Sequence, residues 1–276
     1  MYPTAVRWIV GDIHGMLQPL TALVTAVTNF DPSARWFFVG DYVNRGPDSK
    51  GVIEYLLKLS GAKFCRGNHD DIFDVVVNGE SFAEEITHNN RVSAFKWFMD
   101  HGLADTLASY GATRVKLQAV LDRPSPAALD ELVAPIPKAH RQFIRNLPAV
   151  IEEPDIFITH ARWDPETPDE DPSPTTFLEV DQELRKTVTW GRFSMGEVDA
   201  PKAWRRIGYF GHTPVDSYGI RGGYDPKGGG NLVPVIGNKM VLIDTAAAVS
   251  PVGRLTAYSP DTGKFIQVDR QARLLT

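Results

Sequence analysis

The chain has 276 residues, is 43% hydrophobic and carries a net charge of −5, enough apolar residue for a sizeable core and the wrong sign for a nucleic-acid footprint. A single cysteine, Cys65, excludes an internal disulfide framework and suits a reducing cytoplasm. Met1–Val10 is too short for a signal peptide and no run approaches the ~20 apolar residues of a membrane helix, so one cytoplasmic α/β domain over residues 1–276, with no membrane partner, is expected.

Val6–Val10 reads as a first strand and ends in Gly11-Asp12-Ile13-His14-Gly15. Residues two apart on an extended segment point the same way, so Asp12 and His14 are placed to ligate one ion. Leu17, Leu20, Leu23, Val24 and Val27 then recur at helical spacing. The order repeats: Trp36–Val39 is a buried strand, Gly40–Asp48 a polar loop carrying Asp41, Asn44 and Arg45, and Gly51–Leu59 a helix. Ala62–Cys65 is a third, short strand, ending in Arg66-Gly67-Asn68-His69-Asp70. Ligands gather beyond the carboxyl ends of strands in open α/β sheets, and three successive strand ends here carry metal-competent side chains.

From about Asp71 to Leu147 strand signals fade and helical patterns take over. Val92, Phe95, Trp97, Phe98 and Leu103 mark one helix, Pro124-Ser125-Pro126 starts another that runs through Val133, and Pro137 starts a third. This segment reads as a helical insertion flanking the site, where substrate selection would lie. Strands resume at Asp155–Thr159, ending in His160; after the acidic, proline-rich loop Asp164–Thr176 comes Val188–Phe193, and Ile207–Phe210 ends in Gly211-His212-Thr213-Pro214. Met240–Ile243 and Arg254–Tyr258 are strands, and Lys264–Val268 pairs with the latter as a hairpin. Gly228-Gly229-Gly230 is no phosphate loop, because no Gly-Lys-Ser/Thr follows.

The strand-end residues Asp12, His14, Asp41, Asn68, His160 and His212 make a set of three imidazoles, two carboxylates and one amide. That mixture suits Mn, Fe or Zn (Ni also fits) better than Mg, which prefers oxygen alone. Six side chains exceed what one ion needs once water is counted; two divalent ions sharing Asp41 use all of them. Two ions ~3.5–4 Å apart acidify a bridging water and hold phosphoryl oxygens for in-line attack. Arg45 and Arg192 would balance phosphoryl charge and His69 would protonate the leaving oxygen. His88, His101 and His140 lack a motif, Cys65 lies in a strand run and reads as core, and Asp244 is left between orienting a ligand histidine and a plain turn role.

Gly11–Gly15, Gly40–Gly46 and Gly67–Asp70 resemble the three signature blocks of the phosphoprotein-phosphatase branch of the calcineurin-like metallophosphoesterases. Thr159-His160-Ala161 and Phe210–Pro214 resemble its two later ligand blocks, and Trp190-Gly191-Arg192 and Leu242–Thr245 are similar to stretches of phage lambda and bacterial protein phosphatases. The resemblance runs in family order from about Arg7 to Gln267. It implies an α/β fold with a central β-sandwich of two mixed sheets flanked by helices, a two-metal site with the ligands above, His69 as acid, and Arg45 and Arg192 on phosphate.

Two positions depart from that pattern. The second block carries Asn44 where the family usually has an aspartate that hydrogen-bonds the acid histidine, and the third ends in Asp70 in place of glutamate. An amide supplies no negative charge to raise the pKa of His69. Bacterial diadenosine tetraphosphatases are similar to this chain at both points, whereas the later blocks resemble the protein phosphatases. The leading expectation is therefore a serine/threonine, or dual-specificity, protein phosphatase acting on a phosphorylated protein or peptide. The alternatives are a dinucleoside polyphosphate hydrolase acting on a small phosphoanhydride and a non-catalytic phosphate-binding pseudophosphatase.

Overall fold

In β1 (Arg7–Val10), Trp8 and Val10 pack on one side of the strand and Ile9 on the other; in β2 (Arg35–Phe38), Trp36 and Phe38 divide from Phe37 in the same way. Side chains alternate across a strand, so a strand buried along its whole length must have apolar layers on both faces. The chain supplies them in order. After β1 comes α1 (Leu17–Phe30), then β2, α2 (Ser49–Leu56), β3 (Lys63–Phe64) and α3 (Asn68–Asn78). Among the described residues five helices follow: α4 (Arg91–Phe98), α5 (Ala104–Ser109), α6 (Arg114–Asp122), α7 (Pro126–Val133) and α8 (Lys138–Arg145). Then come β4 (Val150–Glu152), β5 (Ile156–Thr159), α9 (Gln182–Trp190), α10 (Met195–Asp199), β6 (Ile207–Phe210), β7 (Val235–Gly237) and β8 (Met240–Leu242). The last strands are β9 (Arg254–Tyr258), β10 (Phe265–Asp269) and β11 (Leu274–Leu275). These elements come from a computed structural model that describes residues 5–79, 91–163, 182–223 and 230–275.

The strands form two mixed sheets, one in the order β11-β10-β9-β1-β2-β3 and the other β4-β5-β6-β8-β7. In the first, β1, β2 and β3 run parallel while β9 pairs antiparallel with β1; in the second, β5, β6 and β8 run parallel. Ile9, Phe37 and Val39 from one sheet meet Ile156, Ile158, Tyr209 and Val241 from the other, so this layer is the middle of a β-sandwich. The outer face of the first sheet packs on helices through Trp8, Val10, Phe38, Leu20, Leu23 and Val52. Phe157, Phe210 and Leu242 line the outer face of the second against Val188 and Val198. The fold is the expected α/β sandwich of two mixed sheets flanked by helices.

Several local expectations change. Asn68 and His69, expected only at a strand end, open α3, because Gly67 takes the cap position and the Asp70 carboxylate folds back to its backbone N–H. The helix expected through Leu103 breaks after Phe98 into a wide turn, Met99–Leu103, where Gly102 has φ of 90°. The three-residue strands β4 and β7, which no alternation flagged, pair at opposite ends of the second sheet. Val188–Trp190 closes α9. Ser125 caps α7 through Ala128 N–H, as its position before Pro126 predicts. His88, the loop Asp164–Thr176 and the triplet's Gly228 and Gly229 lie outside the described residues. Among the described residues, no helix is long and apolar enough to cross a membrane.

Candidate metal centre

The first sheet delivers Asp12 after β1, Asp41 after β2 and Asn68 and His69 after β3; the second delivers His160 after β5 and His212 after β6. All six are buried. Loops from two sheets can converge on so small a volume only where side chains are absent: a Cβ on Gly67 would lie 2.1 Å from Asp41 Oδ1, and one on Gly211 would lie 2.1 Å from Asp12 Oδ1. The backbone is strained where the ligands turn inward. His14, Asp41, Asn44, Arg45 and His212 all have φ between 48° and 71°, a region that costs non-glycine residues on the order of 1–3 kcal/mol each and that clusters at functional sites. His14 therefore sits in a left-handed turn and not on an extended continuation of β1, so the two-apart rule is not what aims it.

Two triplets, Asp12–Asp41–His160 and His14–Asp41–His69, each bring their ligand atoms within 4.8 Å of one another, with Asp41 common to both. One Asp41 oxygen lies 3.4 Å from His160 Nε2 and the other 3.4 Å from His14 Nε2. Asn68 Oδ1 lies 3.0 Å from His160 Nε2 and 3.1 Å from His212 Nδ1. His14 Nδ1 and His160 Nδ1 face the carbonyls of Val43 and Val39 at 3.1 and 3.0 Å, which assigns their protons to Nδ1 and turns Nε2 inward. Asp12 accepts the backbone N–H of His212. The Asp70 carboxylate accepts from Asp41 N, Tyr42 N and Gly67 N at 2.7–2.9 Å, and so ties the second and third loops together.

Electrostatics suit a cation. Burial, reinforced by Asp244, raises the Asp12 carboxyl well above its usual range. Burial alone would raise Asp41 too, but His160, His69 and His14 outweigh it and hold that carboxyl well below. Burial lowers His14 to about 4 and, with His160, His212 to about 3. His160 goes the other way: burial opposes its charge, but Asp41 wins and lifts it to about 9. The His212 Nε2 atom is buried and makes no hydrogen bond among the described residues, which costs free energy unless something else takes its lone pair. The lowered imidazoles of His14 and His212, and the carboxylates of Asp12 and Asp41 buried between them, fit a pair of divalent cations.

Around this set stand the remaining candidates. Arg45 Nη1 lies 2.8 Å from His14 Nε2. The exposed Arg192 donates to Thr213 Oγ1 at 3.3 Å, beside His212. His69 donates its backbone N–H to Asp41, and its Nδ1 lies 3.0 Å from Asn44 Nδ2. Sequence reading missed what fixes that amide. The Thr106 hydroxyl, from α5, donates to Asn44 Oδ1 at 2.9 Å and accepts Asn44 N–H at 2.8 Å, with Ser49 Oγ beside it. Oδ1 is thereby the acceptor end and Nδ2 the donor end, so His69 Nδ1 accepts and the imidazole carries its proton on Nε2. Burial keeps that ring neutral, well below its usual pKa. No pattern in the sequence links Thr106 to Asn44, 62 residues away.

Three residues set aside from the site fall as expected or resolve. Cys65 is core, its thiol pushed up to about 12 by burial. His140 is buried against Tyr110 OH at 2.9 Å. Asp244 takes the turn role, its carboxylate accepting Ala246 N–H at 2.9 Å.

Over residues 6–185 the chain matches the calcineurin-like phosphoesterase family. It is 34% identical over 99 residues to the symmetrical bis(5'-nucleosyl)-tetraphosphatase of Pseudomonas fluorescens, across 33% of this chain and 35% of that protein. It is 46% identical over 65 residues to the enzyme of the same name from Photorhabdus laumondii, across 23% of each. The alignments thus span only 35% and 23% of those relatives' length. A crystal structure of a provisionally named diadenosine tetraphosphatase shares the fold, with a TM-score of 0.54 at 23% identity over 97% of this chain and 94% of that one. On the family match, which takes in the strand ends carrying Asp12, Asp41, Asn68 and His160, the chain belongs to the calcineurin-like phosphoesterase family.

Proposed function

We propose that this protein cleaves phosphoanhydrides of dinucleoside polyphosphates, splitting diadenosine tetraphosphate into two molecules of ADP, and that the order of the two readings drawn from sequence is reversed. The observation that carries this is the contact between Asn44 Nδ2 and His69 Nδ1 at 3.0 Å. A carboxylate at that position would accept from Nδ1–H and favour an imidazolium; the amide donates and favours the neutral ring. A serine alkoxide needs a full proton as it leaves, whereas a nucleotide phosphate, a far weaker base, needs only a hydrogen bond. The names of the relatives aligned above support the same substrate class.

In this reading Asp12, His14, Asn68, His160 and His212 would hold two divalent cations with Asp41 shared between them, and Mn, Fe, Zn or Ni would suit those donors. The cations, when bound, acidify a shared water and draw charge from the phosphoryl oxygens. Arg45 exchanges His14 Nε2 for a phosphate oxygen, and Arg192 meets a second from the His212 side. His69 presents Nε2–H to the leaving phosphate. Water adds across the bridging P–O bond, and two nucleoside diphosphates depart. The helical segment from about Asp71 to Leu147 acts as the selecting insertion of a single domain.

The test is Asn44→Asp. The new carboxylate should raise kcat/KM for a phosphoserine peptide by at least about tenfold relative to that for diadenosine tetraphosphate, a part of the ~10²–10⁴-fold that a general acid contributes. Equal effects on both substrates would show that position 44 does not govern the acid.

A further inference from the structure

Beside the centre stands an aromatic wall that the hydrolysis above does not use. It begins at Phe98, fully buried, whose ring lies 5.0 Å from that of His69 and 6.2 Å from Trp190. Trp190 in turn lies 6.1 Å from His212. Outermost is Trp97, stacked on Trp190 with ring centres 5.4 Å apart and planes 16° from parallel, and 41% exposed. The wall therefore touches both the acid histidine and a ligand histidine at its base, and ends in an indole open to solvent. A second observation accompanies it: Trp190 Nε1 is buried and makes no hydrogen bond among the described residues, although a buried indole N–H ordinarily finds a partner.

The wall is also held in register with the phosphate-binding loop. Gly102, in the turn that ends α4, accepts Arg45 N–H on its carbonyl at 3.3 Å. A Cβ at Gly102 would lie 2.1 Å from Arg45 N. The distance from the aromatic face to Arg45 is thus fixed by backbone contact.

We propose that Trp97, backed by Trp190, is the stacking platform for a nucleobase of the substrate, with the polyphosphate running from it across Arg45 to the metal centre. The proposal rests on the dinucleoside polyphosphate reading and adds its base subsite. A flat heterocycle matches an exposed, pre-stacked indole, and base–aromatic stacking reads the π-face and tolerates any base. The platform should therefore accept guanine about as well as adenine.

The experiment compares the full chain with Trp97→Ala and Trp97→Phe, each in the presence of manganese. Binding of ADP and of inorganic pyrophosphate is measured by calorimetry, and hydrolysis of diadenosine tetraphosphate and of tripolyphosphate by product release. Trp97→Ala should weaken ADP binding on the order of tenfold and raise the KM for diadenosine tetraphosphate similarly, both by far more than the pyrophosphate and tripolyphosphate values, and Trp97→Phe should recover most of the loss. Loss on base-free and base-bearing ligands alike, or wild-type protein that binds ADP no more tightly than pyrophosphate, overturns the platform. Selective loss of ADP binding in a chain that does not hydrolyse diadenosine tetraphosphate upholds the platform and refutes the proposed reaction instead.

Discussion

At Asn44 a single amide decides which way a proton points. Its carbonyl is held by Thr106 and its NH₂ faces His69 Nδ1, so the hydroxyl of a residue on α5 sets the tautomer of a histidine on α3. Thr106→Val keeps the volume but removes the donor to Oδ1 and the acceptor of Asn44 N–H in a fully buried place. It should lower stability by about 1–3 kcal/mol, read by thermal denaturation, and lower kcat as well, while Thr106→Ser should retain both. Asp41→Asn removes the one carboxylate shared by both triplets. It should cut bound manganese below two ions per chain and kcat/KM by at least about a hundredfold; metal analysis showing two ions with near-normal turnover would refute the bridge. The convergence at this scale was legible, because Asp12, His14, Asp41, Asn68, His160 and His212 stand at strand ends in an ordered series. Thr106 was not, because a mid-helix threonine carries no local mark of a contact 62 residues away.

Helices with clean apolar periodicity, such as α1 with Leu20, Leu23, Val24 and Val27 buried, were readable. The break after Phe98 was not, because Val92, Phe95 and Leu103 keep the apolar spacing through it. What breaks the helix is the left-handed Gly102, pressed against Arg45. Gly102→Ala adds a methyl where φ is 90° and where backbone lies 2.1 Å away. It should cost on the order of 1–3 kcal/mol or more and raise KM for phosphate substrates by displacing Arg45. Unchanged melting and unchanged KM would show that the turn yields without moving the loop. Strands β4 and β7 escaped notice because three residues are too few to show alternation; their pairing partners, not their own patterns, make them strands.

Across the whole molecule the sandwich is closed by an ionic clasp as well as by its central layer. Arg7, on β1, donates to Asp155 just before β5 and to Asp261 between β9 and β10, at distances down to 2.5 Å. Arg7 draws the Asp155 carboxyl below its usual 3.8; at Asp261 burial works against this, and Arg7 again prevails. Groups with depressed folded values contribute stability above the unfolded pKa and lose it as pH falls through the folded one. Arg7→Ala should therefore melt at a lower temperature than wild type at pH 7, and the gap should narrow as pH falls below 3.8; a gap that does not change with pH would assign Arg7 a packing role. The two-sheet class was legible because the family resemblance implies it and the observed alternation agrees. The strand order was not, since β9 inserting beside β1 joins segments from opposite ends of the chain.

Substrate preference tests the account most directly. With manganese present, kcat/KM for diadenosine tetraphosphate and for a phosphoserine peptide should be measured side by side on the wild-type chain. The neutral, amide-held His69 predicts that the dinucleotide is the better substrate by at least about tenfold and that ADP is its only nucleotide product, in line with the weaker need of a phosphate leaving group for a proton. A peptide cleaved as fast as or faster than the dinucleotide would contradict it.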